Sequence, residues 1–82
     1  MKQKADVILV VDDEREHADG IAESLENLRT KRAKTIAVYN GKDALEILRR
    51  ETRVDIVVTD LKLQDDIDGL AILEGAKKFV TL

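Results

Sequence analysis

The sequence predicts an α/β fold in which helices cover a parallel β-sheet. Apolar runs of strand length alternate with segments whose apolar residues recur at helical spacing, in the order β-α-β-α-β-α. The first run, Val7 to Val11, is continuous rather than alternating. A continuous run is typical of a strand buried on both faces, as in a parallel sheet. Right-handed helical crossovers then join successive strands.

The first predicted helix lies in the segment after Asp13. Its apolar residues form one stripe, which consists of Ala18, Ile21, Ala22, Leu25 and Leu28. We expect Asp13 or Glu14 to cap the start of this helix. Gly20 in its interior is unfavourable for helix formation, and it therefore predicts a close approach by a neighbouring element.

Two further strands and two further helices complete the predicted order. Residues 35–39 form a strand with Ile36 and Val38 on one face, and residues 54–60 form the third strand. Asn40 is the predicted N-cap of the second helix, whose apolar stripe is Ala44, Leu45 and Leu48. Asp68 is the predicted cap of the last helix, whose apolar face is Ile72, Leu73, Ala76 and Phe79.

Composition limits the classes of function. The chain has 82 residues, 44% of them apolar and 38% charged, which fits one small globular domain. A net charge of −3 gives no electrostatic reason to expect nucleic acid or an anionic membrane as a direct partner. The absence of cysteine excludes disulfides and thiolate metal sites. No apolar run has the length of a membrane helix or a signal peptide, so the cytoplasm is the expected location.

Three carboxylates follow predicted strands at their carboxyl ends. Asp12 and Asp13 come directly after the first strand, and Asp60 ends the third. If these strands are neighbours, the three acids converge at the edge of the sheet where such folds bind ligands. A hard cation, Mg²⁺ or Ca²⁺, would neutralise them, and a carboxylate beside it could attack phosphorus. For either Asp12 or Asp13 alone, a turn or helix-cap role is the simpler interpretation.

The stretches "ILVVDDE", "DIVVTDLKL" and "DGLAIL" together closely resemble the receiver domain of two-component response regulators. The resemblance runs through almost the whole chain, and the third-strand region is most similar to receivers of enhancer-binding transcription activators. It implies a flavodoxin-like, doubly wound parallel sheet with strand order 2-1-3-4-5. Residues 1–82 would supply order 2-1-3, as a single incomplete receiver domain that lacks the fourth and fifth βα units.

The resemblance also implies roles for particular residues. Asp12 and Asp13 correspond to the acid pair that helps bind Mg²⁺, and Asp60 corresponds to the phosphoacceptor. The backbone carbonyl of Lys62 would be a further metal ligand, and Asp68 with Gly69 would open the third helix. The implied partner is a sensor histidine kinase that donates the phosphoryl group, and the domain itself is not an enzyme.

The chain departs from the family pattern in three ways. The loop after Asp60 lacks the usual proline and is one residue longer, which affects where the Lys62 carbonyl lies. The switching hydroxyl after the fourth strand and the lysine after the fifth are expected to be missing, because residues 1–82 are expected to end before those strands. Thr81 follows Asp60 too soon to be that hydroxyl. The third strand would then be an edge. We therefore expect a homodimer or other self-association through this strand or the exposed helix faces.

The sequence is also compatible with two other functions. The first is a non-switching interaction module that retains only the acidic metal pocket. The second is an aspartate-nucleophile phosphatase of the haloacid dehalogenase type, which ranks last because its two acids are separated by one residue whereas Asp12 and Asp13 are adjacent. His17, the single histidine, is interpreted as a solvated surface residue.

Overall fold

A computed structural model describes residues 6–27, 33–50, 54–60, 72 and 79–81. The elements are β1 (Asp6–Val11), α1 (Arg15–Glu26), β2 (Ala33–Val38), α2 (Gly41–Arg50), β3 (Ile56–Thr59) and β4 (Phe79–Thr81). The four strands form one sheet in the order β2-β1-β3-β4, and each neighbouring pair is parallel. This confirms the predicted α/β class and the predicted strand order 2-1-3.

Strand β1 is central and buried on both faces, as its continuous apolar run predicts. Leu9 and Val11 belong to one buried cluster, whereas Ile8 and Val10 belong to another. The two pairs point to opposite faces because side chains alternate along a strand. A strand in this position has no polar face, which explains why its sequence does not alternate.

The two helices supply the outer walls of these two clusters. Ala18 and Ala22 of α1 are buried with Ile8 and Val10, and Ile21 and Leu25 pack at the margin. On the other face, Ala44 of α2 is buried in the cluster that contains Leu9 and Val11. The residues partly buried against this second cluster are Ile36, Leu45, Ile47, Leu48 and Val54. Helices on both faces of a parallel sheet make the fold doubly wound.

Both helices begin at the predicted positions, but only α2 has a side-chain cap. The Asn40 side-chain oxygen accepts the Asp43 backbone N–H at 2.8 Å, which confirms Asn40 as the N-cap of α2. At α1 the N-cap position is Glu14, but its side chain makes no capping hydrogen bond. The prediction of a close approach at Gly20 is wrong for the described part of the chain, because a Cβ there would have no atom of a neighbouring element within 4 Å.

A short fourth strand corrects the prediction that β3 is an edge strand. Val57, Val58 and Thr59 pair in parallel with Phe79, Val80 and Thr81, so β4 covers the edge of β3. Phe79, predicted on the apolar face of the last helix, begins this strand instead. Self-association through an exposed β3 therefore loses its structural basis.

The remaining part of the predicted third helix lies mostly outside the described residues. Ile72 is described, is helical and is fully buried in the cluster that contains Leu9, as expected for a residue on an apolar helix face. Asp68, Leu73 and Ala76 are outside the described part of the chain. Neither α1 nor α2 has the length and apolar character that a helix needs to cross a membrane, within the ranges that the structure describes.

Candidate metal centre

Parallel pairing of β1 and β3 brings the three predicted acids together. Val11 and Thr59 are register partners at the carboxyl ends of these strands, and Asp12 and Asp60 are the next residues. The Asp60 backbone N–H continues the pairing by donating to the Val11 carbonyl at 3.3 Å. One carboxylate oxygen from each of Asp12, Asp13 and Asp60 lies within 4.8 Å of the others. The predicted convergence of the three acids is confirmed.

Asp12 is the buried member of this acidic cluster and is held on several sides. The residue is only 2% exposed. Its backbone N–H donates to the Val38 carbonyl at 3.2 Å, which extends the pairing of β1 with β2. Its Oδ1 accepts the Glu14 backbone N–H at 3.0 Å, and its Oδ2 is hydrogen-bonded to His17 Nδ1. A buried carboxylate needs such partners because water no longer solvates it.

Asp13 and Asp60 form the open side of the site, since both are partly exposed. Thr59, by contrast, is fully buried, and its hydroxyl donates to the Asp60 backbone carbonyl at 2.9 Å. This bond ties the backbone of Asp60 to the end of β3. The cluster therefore combines a rigid buried acid with two acids that solvent and a ligand can reach.

Charge repulsion makes this arrangement favourable for a divalent cation. At a separation of 4.8 Å, two unit charges repel by about 0.9 kcal/mol in bulk water and about 3.5 kcal/mol at an effective dielectric constant of about 20. The cluster offers only carboxylate oxygens, which are the ligands of hard cations such as Mg²⁺ and Ca²⁺. Mg²⁺ typically takes one or two carboxylates and keeps several waters. The partial exposure of Asp13 and Asp60 leaves room for such waters, so the residues fit Mg²⁺.

The described residues do not include the predicted ligand Lys62, and they show one additional residue, His17, in contact with the acidic cluster. Lys62, predicted to supply a backbone carbonyl, lies outside the described residues, as do Asp68 and Gly69. His17 was interpreted as a solvated surface residue, and its side chain is indeed 55% exposed, yet Nδ1 reaches Asp12. The sequence feature that indicates this contact is the position of His17 in the first turn of the helix that follows the acid pair.

Comparison with protein-family models gives a match that covers most of the chain. The family model described as the response regulator receiver domain matches residues 8–79. This range contains the acidic cluster and all of α1, β2, α2 and β3. None of the curated proteins matches the chain.

Proposed function

Because the chain belongs to the response regulator receiver domain family, we propose that Asp60 is the phosphoacceptor and that Asp12 and Asp13 hold Mg²⁺ beside it. The phosphoryl donor is a phosphohistidine of a sensor histidine kinase, and the domain is the cytoplasmic input of a switch that regulates transcription. The observation that carries the proposal is the meeting of three carboxylates within 4.8 Å at the ends of two adjacent strands.

The proposed chemistry is an in-line transfer onto the Asp60 carboxylate. One of its oxygens attacks phosphorus, the O–P bond forms, and the P–N bond to the donor imidazole breaks as that imidazole takes up a proton. The product is an acyl phosphate on Asp60 and a free histidine on the kinase. Mg²⁺ held by these acids would neutralise the negative charge on the phosphoryl oxygens.

Each residue of the acidic cluster has a separate role in the proposed reaction. Asp12, buried and doubly hydrogen-bonded through its carboxylate, provides a fixed negative charge at the base of the site. Asp13, partly exposed, is the second protein ligand, and the Lys62 carbonyl remains the proposed third. The bond from the Thr59 hydroxyl to the Asp60 carbonyl holds the backbone of the nucleophile in place. Preorganisation of this kind raises the rate because less reorganisation is needed when charge shifts.

The register of β4 brings the backbone of Thr81 next to the end of β3. Few residues separate Thr81 from Asp60 in the sequence. However, Thr81 is the parallel register partner of Thr59, the residue just before Asp60. Its backbone therefore lies beside the phosphoacceptor strand, at the carboxyl end where the family has its hydroxyl.

Self-association remains part of the proposal only through the helices. Since β4 covers β3, we propose self-association through the exposed helix faces, of which the structure describes those of α1 and α2. Size-exclusion chromatography with light scattering tests this point. A monomer at all concentrations would remove self-association from the proposal and leave the phosphoacceptor role unaffected.

Labelling with acetyl phosphate and Mg²⁺ tests the phosphoacceptor role. We expect wild-type protein to gain one phosphoryl group by intact mass and Asp60→Asn to gain none. Asp19→Asn is the matched control, because Asp19 is an exposed aspartate on α1 outside the acidic cluster, and it should label fully. Full labelling of Asp60→Asn would refute the assignment.

A further inference from the structure

His17 is connected to the acidic cluster through one contact. It is the third residue of α1, and its Nδ1 is hydrogen-bonded to Asp12 Oδ2. The two groups differ sharply in environment, because the His17 side chain is 55% exposed and that of Asp12 is 3% exposed. The histidine therefore reaches inward from the surface to the buried acid.

The two oxygens of Asp12 have different kinds of partner. Oδ1 accepts a backbone N–H, that of Glu14, at 3.0 Å, so no side-chain substitution at Glu14 removes it. Oδ2 is held by the His17 ring. With both bonds, the plane of the carboxylate is fixed, whereas with the Glu14 bond alone the group can turn about that one contact.

His17 acts on the cluster from outside it. The group of side chains whose ligand atoms lie within 4.8 Å of one another consists of Asp12, Asp13 and Asp60, and His17 is not a member. Its imidazole thus contacts the cluster through Asp12, in the way that outer-shell residues orient the ligands of a metal. A direct ligand would belong to the group itself.

We propose that His17 is a positioning residue of the metal centre, which holds the Asp12 carboxylate in the orientation that binds the divalent cation. This inference rests on the proposed function, because it takes the acidic cluster to be a metal site. Loss of an outer-shell hydrogen bond typically lowers metal affinity by about 10- to 100-fold. The Glu14 N–H remains in place, so we expect the lower end, about tenfold.

Isothermal titration of Mg²⁺ into the full chain, at one fixed pH, tests the proposal with four proteins. His17→Leu removes the hydrogen bond, and His17→Asn restores a donor because its amide nitrogen occupies the place of Nδ1. Ser24→Leu is the matched control, since Ser24 lines the same open groove on the outer surface of α1 as His17 and has no part in the acidic cluster.

We expect the Kd for Mg²⁺ to rise about tenfold in His17→Leu, and to return to within about threefold of wild type in His17→Asn. It should stay at the wild-type value in Ser24→Leu. Thermal unfolding in metal-free buffer accompanies each titration, and His17→Ala replaces His17→Leu if the leucine variant is unfolded. A purely structural role for His17 would lower the unfolding temperature without a selective loss of metal affinity.

Three results would overturn the proposal. An unchanged Kd in His17→Leu would show that Asp12 is oriented without the histidine. A lower Kd would show that the ring competes with the metal for Asp12. Failure of wild type itself to bind Mg²⁺ would remove the metal from the proposed function as well, so the two failures are distinguishable.

Discussion

Removal of one acid from the cluster should stabilise the metal-free protein. Asp13→Asn eliminates the repulsion of Asp13 with both Asp12 and Asp60, which lie within 4.8 Å. Each such pair contributes between about 0.9 and about 3.5 kcal/mol, depending on the effective dielectric constant. Because Asp13 and Asp60 are partly exposed, the solvent-screened end applies. We expect the free energy of unfolding to increase by about 1–2 kcal/mol.

Urea denaturation followed by circular dichroism, with a chelator present, measures this change. Glu23→Gln is the matched control, because it also removes one negative charge but from an exposed position on α1. It should change the stability by less than about 0.5 kcal/mol. An increase of 1 kcal/mol corresponds to a rise of about 4–8 °C in the unfolding temperature of a domain of this size.

Addition of Mg²⁺ should reverse the order of stability. A ligand present at 100 times its Kd stabilises the folded state by about 2.7 kcal/mol, and wild type should gain this while Asp13→Asn gains less. If Asp13→Asn is no more stable than Glu23→Gln without metal, the three carboxylates do not repel one another in the folded state. The electrostatic reasoning behind the metal centre would then be wrong.

Three other predictions concern local features. Gly20→Ala should stabilise the protein by about 0.5–1 kcal/mol, because the added methyl group meets no atom of another described element within 4 Å; a loss of stability in thermal unfolding would show that the site is constrained. Asn40→Ala should destabilise by about 1 kcal/mol, since it removes the acceptor of the Asp43 N–H, and an unchanged urea midpoint would contradict this cap. The hydrogen bond that the Tyr39 hydroxyl donates to Asp19 at 2.7 Å raises the pKa of Tyr39 above 10.0. Because a raised pKa in the folded state favours the protonated form, this contribution to stability is present below pH 10 and is lost as the pH rises through the folded-state pKa. Asp19→Asn should lower the midpoint of the tyrosinate absorbance titration, which reports Tyr39 alone because the chain has one tyrosine; an unshifted midpoint would show that the bond does not persist in solution.

The sheet and its two helices could be predicted because their signals are local. The unbroken run from Val7 to Val11 indicated burial on both faces, and the two buried clusters contain its alternating residues. Asn40 was identifiable as a cap because a short polar side chain precedes a helical apolar stripe. The convergence of the three acids could be predicted because they follow the carboxyl ends of two strands that are neighbours in a sheet of this order.

The fourth strand could not be predicted because its signal conflicts with a helical one. Phe79 continues the helical spacing of Ile72 and Ala76, so periodicity assigned it to a helix, whereas β4 spans only three residues. Its pairing with β3 is a non-local contact that no short window of sequence contains. The position of Thr81 beside Thr59 depends on this pairing and was missed with it.

The contacts of Gly20 and His17 depend on tertiary structure that the sequence does not specify locally. A glycine in a helix is unfavourable whether it packs against a neighbouring element or faces solvent. Only the tertiary surroundings of Gly20 distinguish these two cases. An exposed histidine is usually solvated. The bond from His17 to Asp12 depends on how α1 leaves the end of β1.

Location of the phosphoryl group tests the central claim most directly. Protein treated with acetyl phosphate and Mg²⁺ is reduced with borohydride, which converts an aspartyl phosphate to homoserine, and tandem mass spectrometry then identifies the converted residue. The proposed function predicts homoserine at position 60 and its loss when a chelator removes the metal. Conversion at another aspartate, or conversion at Asp60 that persists without metal, would contradict it.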